Sequence, residues 1–174
     1  MSKLRLLKLF VVLTPIWLAS SDVLAQSKKV PRFADYQVGV SRLKSRQPNL
    51  NSHKDARLFR TNLRNAARNG TNFAGRYALT YWGCGSSCGV GAVVDLRNGR
   101  VYFPKQLDGV WAGHGGGGSV PFDYRTDSRL LILKGFLPGD YHNLRTTYGV
   151  HYFVWEGRRL RRVRFVPKDW TTGE

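Results

Sequence analysis

The chain has 174 residues, 42% hydrophobic and 13% aromatic, with 28 Lys and Arg against 11 Asp and Glu, for a formal charge of +17. That length suits one domain with a real core. A positive balance this strong attracts lipopolysaccharide, teichoic or phospholipid head groups, nucleic acid or acidic proteins, and selects none of them.

Residues 1–25 read as a secretory signal. Lys3, Arg5 and Lys8 form a positive start, Leu9 to Ala19 an apolar stretch, and Val23-Leu24-Ala25 a cleavage site. The apolar run is short for a bilayer span, and Ser20, Ser21 and Asp22 follow it. Cleavage after Ala25 leaves 149 residues with 25 basic and 10 acidic side chains, a net +15. No later segment is apolar enough to span a membrane.

Residues 26–51 are basic, contain Pro31 and Pro48, and read as an extended arm with a short strand near Tyr36–Val40. Ser52 to Gly70 reads as a helix. Ser52 and Asp55 have capping-box spacing, and Ala56, Phe59, Leu63, Ala66 and Ala67 recur on one face. Asn69-Gly70 supplies a left-handed stop. Arg57, Arg60, Arg64 and Arg68 fall on a stripe beside the apolar face. The stripe is either a guanidinium row for phosphate or carboxylate groups, or a solvated flank whose stems cover the core edge.

After Gly70 the period changes to two. Residues 76–83, 90–96, 100–103, 129–134, 148–156 and 159–166 read as strands. Asn98-Gly99 and Glu156-Gly157 are hairpin turns, so neighbouring strands run antiparallel. The long segment 104–128 reads as irregular. Its glycines around His114 are not a phosphate loop, since no Lys-Ser/Thr pair and no helix pattern follow.

Cys84 and Cys88 are the only cysteines and flank Gly85-Ser86-Ser87 at a hairpin tip. An exported chain with an even cysteine count favours a disulfide between them. A redox pair would use two intervening residues at a helix start. A zinc site would need further ligands at a recognisable spacing, which His114, His142 and His151 do not provide. A cysteine nucleophile would need a histidine base, for which His114 is the candidate, with Asp108, Asp123 or Asp127 to orient it. The papain-type Cys-Gly-Ser-Cys-Trp pattern does not match in spacing or order. His151 alternates with Phe153 and Trp155 and reads as a packed side chain.

The last strand is dense in arginine: Arg158, Arg159, Arg161, Arg162 and Arg164, with aromatic residues nearby. Basic charge mixed with aromatics suits nucleic acid, whereas charge on an edge strand blocks pairing with other chains. No nucleic-acid motif accompanies the cluster, and the export signal argues against an intracellular nucleic acid.

Asn72-Phe73-Ala74-Gly75-Arg76-Tyr77, then Trp82-Gly83-Cys84-Gly85 and Cys88, then Asp95, Gly99 and Tyr102-Phe103-Pro104, form a pattern. It resembles that of a group of small exported bacterial proteins with Asn-Phe-Ala-Gly-x-Tyr followed by Trp-Gly-Cys-Gly-x-x-Cys. The resemblance covers most of residues 26–174. It implies export and a shared fold, and implies no activity.

The expectation is a mainly β, α+β domain. About six antiparallel strands form a sandwich- or barrel-like meander behind one amphipathic helix, over residues 52–174. The first functional expectation is a non-enzymatic periplasmic domain without cofactor or metal, binding an anionic envelope component or an acidic protein in an inhibitor- or immunity-like role. Its anion-binding residues are Arg57, Arg60, Arg64, Arg68, Arg158, Arg159, Arg161, Arg162 and Arg164. The alternatives are an envelope hydrolase or transferase using Cys84 or Cys88 with His114, and an envelope protein with a structural role.

Overall fold

A computed structural model describes residues 29–41, 43, 46–85, 88–111, 121–140, 147–169 and 171. The signal segment, His114, His142 and Trp170 lie outside the described residues.

The two-residue period downstream of Gly70 becomes two antiparallel four-stranded sheets. The first contains β1 (Tyr77–Gly85), β2 (Cys88–Asp95), β3 (Val101–Tyr102) and β4 (Asp108–Trp111), with β1 on one side of β2 and both β3 and β4 on the other. The second runs in the order β5 (Phe122–Tyr124), β6 (Leu130–Gly135), β7 (Gly149–Trp155), β8 (Leu160–Pro167). The expected mainly β architecture is present as two open sheets, not a closed barrel. All six expected strands form. β4 and β5 are additional and lie in the segment that the sequence reads as irregular.

Both faces of each sheet are covered, so side chains alternate between two cores. Tyr77, Leu79 and Val93 of the first sheet meet Phe122, Leu131, Leu133, Phe153 and Trp155 of the second in a central core. On the outer face of the first sheet, Ala78, Ala92 and Val94 meet Leu63, Ala66 and Ala67 of helix α1 (Arg60–Asn69). Small side chains on both sides let the helix lie close to the sheet. Phe59 and Trp82, with ring centroids 4.5 Å apart, close the edge of that layer. On the outer face of the second sheet, Leu130, Tyr152 and Val154 are covered by Phe33 and Tyr36.

The N-terminal arm is therefore docked on the domain. Phe33–Tyr36 is a 3₁₀ turn, and the Tyr36–Val40 stretch, where the sequence suggests a short strand, forms only an isolated antiparallel bridge between Gln37 and Ser128. Ser128 Oγ donates to Phe33 O at 2.9 Å, and Arg129 N to Tyr36 O at 2.9 Å.

Helix α1 starts later than the sequence suggests. Lys54–Ala56 is a 3₁₀ turn capped by His53, whose Nδ1 accepts from Asp55 N. Ser52 does not cap. Its hydroxyl donates to Asn49 O at 2.6 Å and accepts from Val101 N at 2.9 Å, tying the helix approach to β3. The stop at Gly70 forms as expected, with φ 83°.

Candidate functional site

The hairpin of β1 and β2 ends in exposed Cys84 and half-buried Cys88, bonded to each other with Cα atoms 5.1 Å apart. A break in register between Gly83 and Gly85 brings Cys84 toward Cys88. While the bond is closed, neither sulfur is a thiolate. The hydrolase reading therefore requires an open disulfide. His114, its candidate base, lies outside the described residues, as do residues 112–120 as a whole. His151 is fully buried, stacked on Phe165 with centroids 4.5 Å apart, and its Nε2 lies 3.1 Å from Gly135 O. Among the described residues no three His, Cys, Asp or Glu side chains group closely enough to hold a metal ion.

The motif Asn72-Phe73-Ala74-Gly75 has a structural explanation. Asn72 imitates a strand neighbour: its Nδ2 donates to Leu79 O at 2.9 Å and its Oδ1 accepts from Leu79 N at 2.7 Å. Phe73 fills the central core. Ala74 and Gly75 turn the chain at positive φ, 45° and 81°. A Cβ on Gly75 would stand 2.4 Å from Gly39 O, so the docked arm requires glycine there.

The two arginine groups differ in their surroundings. Arg57, Arg60, Arg64 and Arg68 are all exposed, and no ion pair joins them to a carboxylate among the described residues. Arg60, Arg64 and Arg68 lie on α1, about 6 Å apart along the axis and turned about 40° at each step. Arg57 precedes the helix and donates to Asn51 Oδ1 at 2.7 Å. At the start of β8, an edge strand as the sequence suggests, Arg161 and, just before the strand, Arg159 both bind Glu156. These two guanidiniums hold the Glu156 carboxyl below its usual range, with Arg161 the larger influence. Arg158 and Arg162 remain exposed, and Arg164 is half-buried.

No protein-family model, curated protein or solved structure matches the chain. Its site must be judged on its own geometry.

One cluster escapes sequence reading. Arg76, Tyr77, Arg129, Trp155 and Glu156 line a cleft of about 400 Å³ whose outer wall is the arm at Val38, Gly39 and Ser41. Arg76 Nη2 donates to Tyr77 Oη at 2.7 Å, and Nε to Asp95 Oδ2 at 3.4 Å. Asp95 is buried beneath it. Burial pushes the Tyr77 hydroxyl up from its ordinary value, with the nearby Trp155 indole opposing. These residues are scattered over 80 positions of sequence. The one local signal is Arg76, which directly precedes Tyr77 in the Asn72–Tyr77 stretch.

Proposed function

We propose that this protein is an exported, non-enzymatic domain that binds a phosphate-rich anionic surface of the cell envelope through the outer face of α1. The observation that carries this reading is the row Arg57, Arg60, Arg64 and Arg68. All four are exposed, and none is ion-paired to a carboxylate among the described residues. Guanidinium suits phosphate because its planar donors can bind two oxygens at once.

The shape of the region favours a surface over a small ligand. Arg60, Arg64 and Arg68 lie on the solvent side of α1, with Arg57 in the turn before it, and Leu58, next to Arg57 in that turn, is 73% exposed. An apolar side chain flanked by basic ones matches an interfacial contact, where each basic residue contributes about 1 kcal/mol near an anionic membrane. No helix among the described residues is long and apolar enough to cross a membrane. The contact proposed is therefore peripheral.

Co-sedimentation with phosphatidylglycerol-containing vesicles tests the reading, with pure phosphatidylcholine vesicles as control. Binding to the anionic vesicles alone, weakened by salt, is expected. Equal binding to both vesicle types, or to neither, would sink it.

A further inference from the structure

We infer that the free edge of β1 at Tyr81 and Gly83 is a docking site for an extended, acidic peptide segment of a partner protein. The segment adds to the first sheet as a further strand, an interaction in addition to the α1 contact.

Hydrogen-bond parity identifies the open groups. Tyr77 exchanges backbone hydrogen bonds with Phe73. Asn72 Nδ2 donates to Leu79 O, and its Oδ1 accepts from Leu79 N. Tyr77 and Leu79 therefore turn their backbone polar groups away from β2. These groups alternate along an antiparallel strand, so Tyr81 and Gly83 point the same way. The register with β2 is unbroken as far as Gly83. Phe73 and Asn72 close the first half of the edge. Beyond them, the outward N–H and C=O of Tyr81 and Gly83 have no partner among the described residues.

No side chain of β1 guards this edge, because the strand contains neither charge nor proline. β8, the other long edge strand, is guarded. Arg161, Arg162, Arg164 and Pro167 lie along it, its register breaks opposite Tyr152 and Phe153, and Gln106 Nε2 donates to Leu160 O at 3.2 Å. An open edge without such guards is a template for an added strand, whose backbone supplies the missing partners.

The surroundings select the occupant. Gly83 is exposed, and a Cβ there would meet nothing closer than 3.9 Å, so a neighbouring strand can approach. Trp82 lies on the helix side with Phe59, and Tyr81 on the core side with Phe122, ring centroids 5.6 Å apart. Aromatic rings on both faces favour β-branched side chains in the added strand. Charge favours acidic ends. α1 lies chiefly over β1, and exposed Arg68 in its last turn closely precedes Asn72. Asp123 of β5 alternates with Phe122 and Tyr124 of the central core, and so stands on the opposite face of its sheet. A second copy would bring two chains of +17 together, whereas an acidic segment meets an attractive field.

The test is an NMR titration of the full chain with acetyl-Glu-Val-Thr-Val-Thr-Val-Glu-amide, following the Tyr81 and Gly83 amides. Saturable shifts at both are expected, with hydrogen exchange slowed about tenfold or more. The peptide with Lys in place of both Glu should bind about tenfold more weakly. Gly83→Pro removes one outward N–H and no bond to β2, and should abolish binding while the circular dichroism spectrum is retained. Gly83→Ala should bind as wild type does. No saturable shift at Tyr81 and Gly83, or undiminished binding by Gly83→Pro, would overturn the site. Slow exchange of both amides in the free chain would show the edge covered from within. Slowing that grows with protein concentration would make a second copy the occupant. Either result overturns the proposal, and both are read on the wild type whether or not the proline variant folds. Equal affinity for the lysine peptide would overturn the acidic assignment.

Discussion

Arg161 donates its Nε–H to Glu156, the carboxylate that also takes Arg159 at 2.9 Å. The densest run of arginine in the sequence is therefore partly neutralised, while the sparser row on α1 is not. Two stretches that look alike by composition are unlike in the field they project. The functional assignment rests on that difference.

The disulfide closes a ring of five residues at the hairpin end. Chain entropy then assigns it about 2 kcal/mol. Replacing both cysteines with serine should lower the melting temperature by about 4–8 °C in a domain of this size. Vesicle binding should be unchanged. Thermal denaturation and co-sedimentation of the double variant check this, and loss of binding would return the tip to the functional account.

Asn72→Ala removes both hydrogen bonds to Leu79 and leaves a strand amide and carbonyl without that partner, a cost of about 2 kcal/mol. Gly75→Ala should cost as much or more. It places a side chain at φ 81°, where left-handed backbone costs about 1–2 kcal/mol, and drives a Cβ into Gly39 O. The two variants should differ in limited proteolysis. Gly75→Ala should expose the arm between Phe33 and Pro48, whereas Asn72→Ala should leave it protected.

Burial pushes the His151 imidazole below its usual range, with Gly135 O opposing, Arg162 adding to the shift and Asp140 opposing. Unfolded, the ring takes up a proton near pH 6.5; folded, it resists until lower pH. Its contribution to stability is therefore complete above about pH 6.5 and declines as pH falls through the window below it. Urea midpoints measured from about pH 7 down to about pH 5 should fall more steeply for the wild type than for His151→Phe. Parallel slopes would show that His151 does not titrate on unfolding.

Much of the fold is legible in the sequence because strong local patterns agree with the tertiary structure. The unbroken apolar run Leu130-Leu131-Ile132-Leu133 and the Asn98-Gly99 turn each specify their outcome locally. Asp108–Trp111 and Phe122–Tyr124 are too short to show a period. They become strands only because β2 and β6 offer them edges. Ser52 has the sequence of a cap, but the β3 amide of Val101 claims its hydroxyl. The α1 row is readable at 3.6-residue spacing. Its lack of carboxylate partners among the described residues is not, because that depends on where Glu156 and the other acids fall in space. The cleft is illegible for the same reason: topology alone brings Arg76, Arg129 and Trp155 together.

The most direct test compares two variants with the same change in net charge. Arg60→Gln/Arg64→Gln keeps helix propensity and removes two guanidiniums from α1. Arg159→Gln/Arg161→Gln removes the two paired with Glu156. Affinity for phosphatidylglycerol-containing vesicles should fall by about 2 kcal/mol, roughly 30-fold, for the α1 pair, and by no more than about threefold for the β8 pair. Equal losses, or a larger loss from β8, would mean that bulk charge or the last strand carries the interaction, and would contradict the assignment to α1.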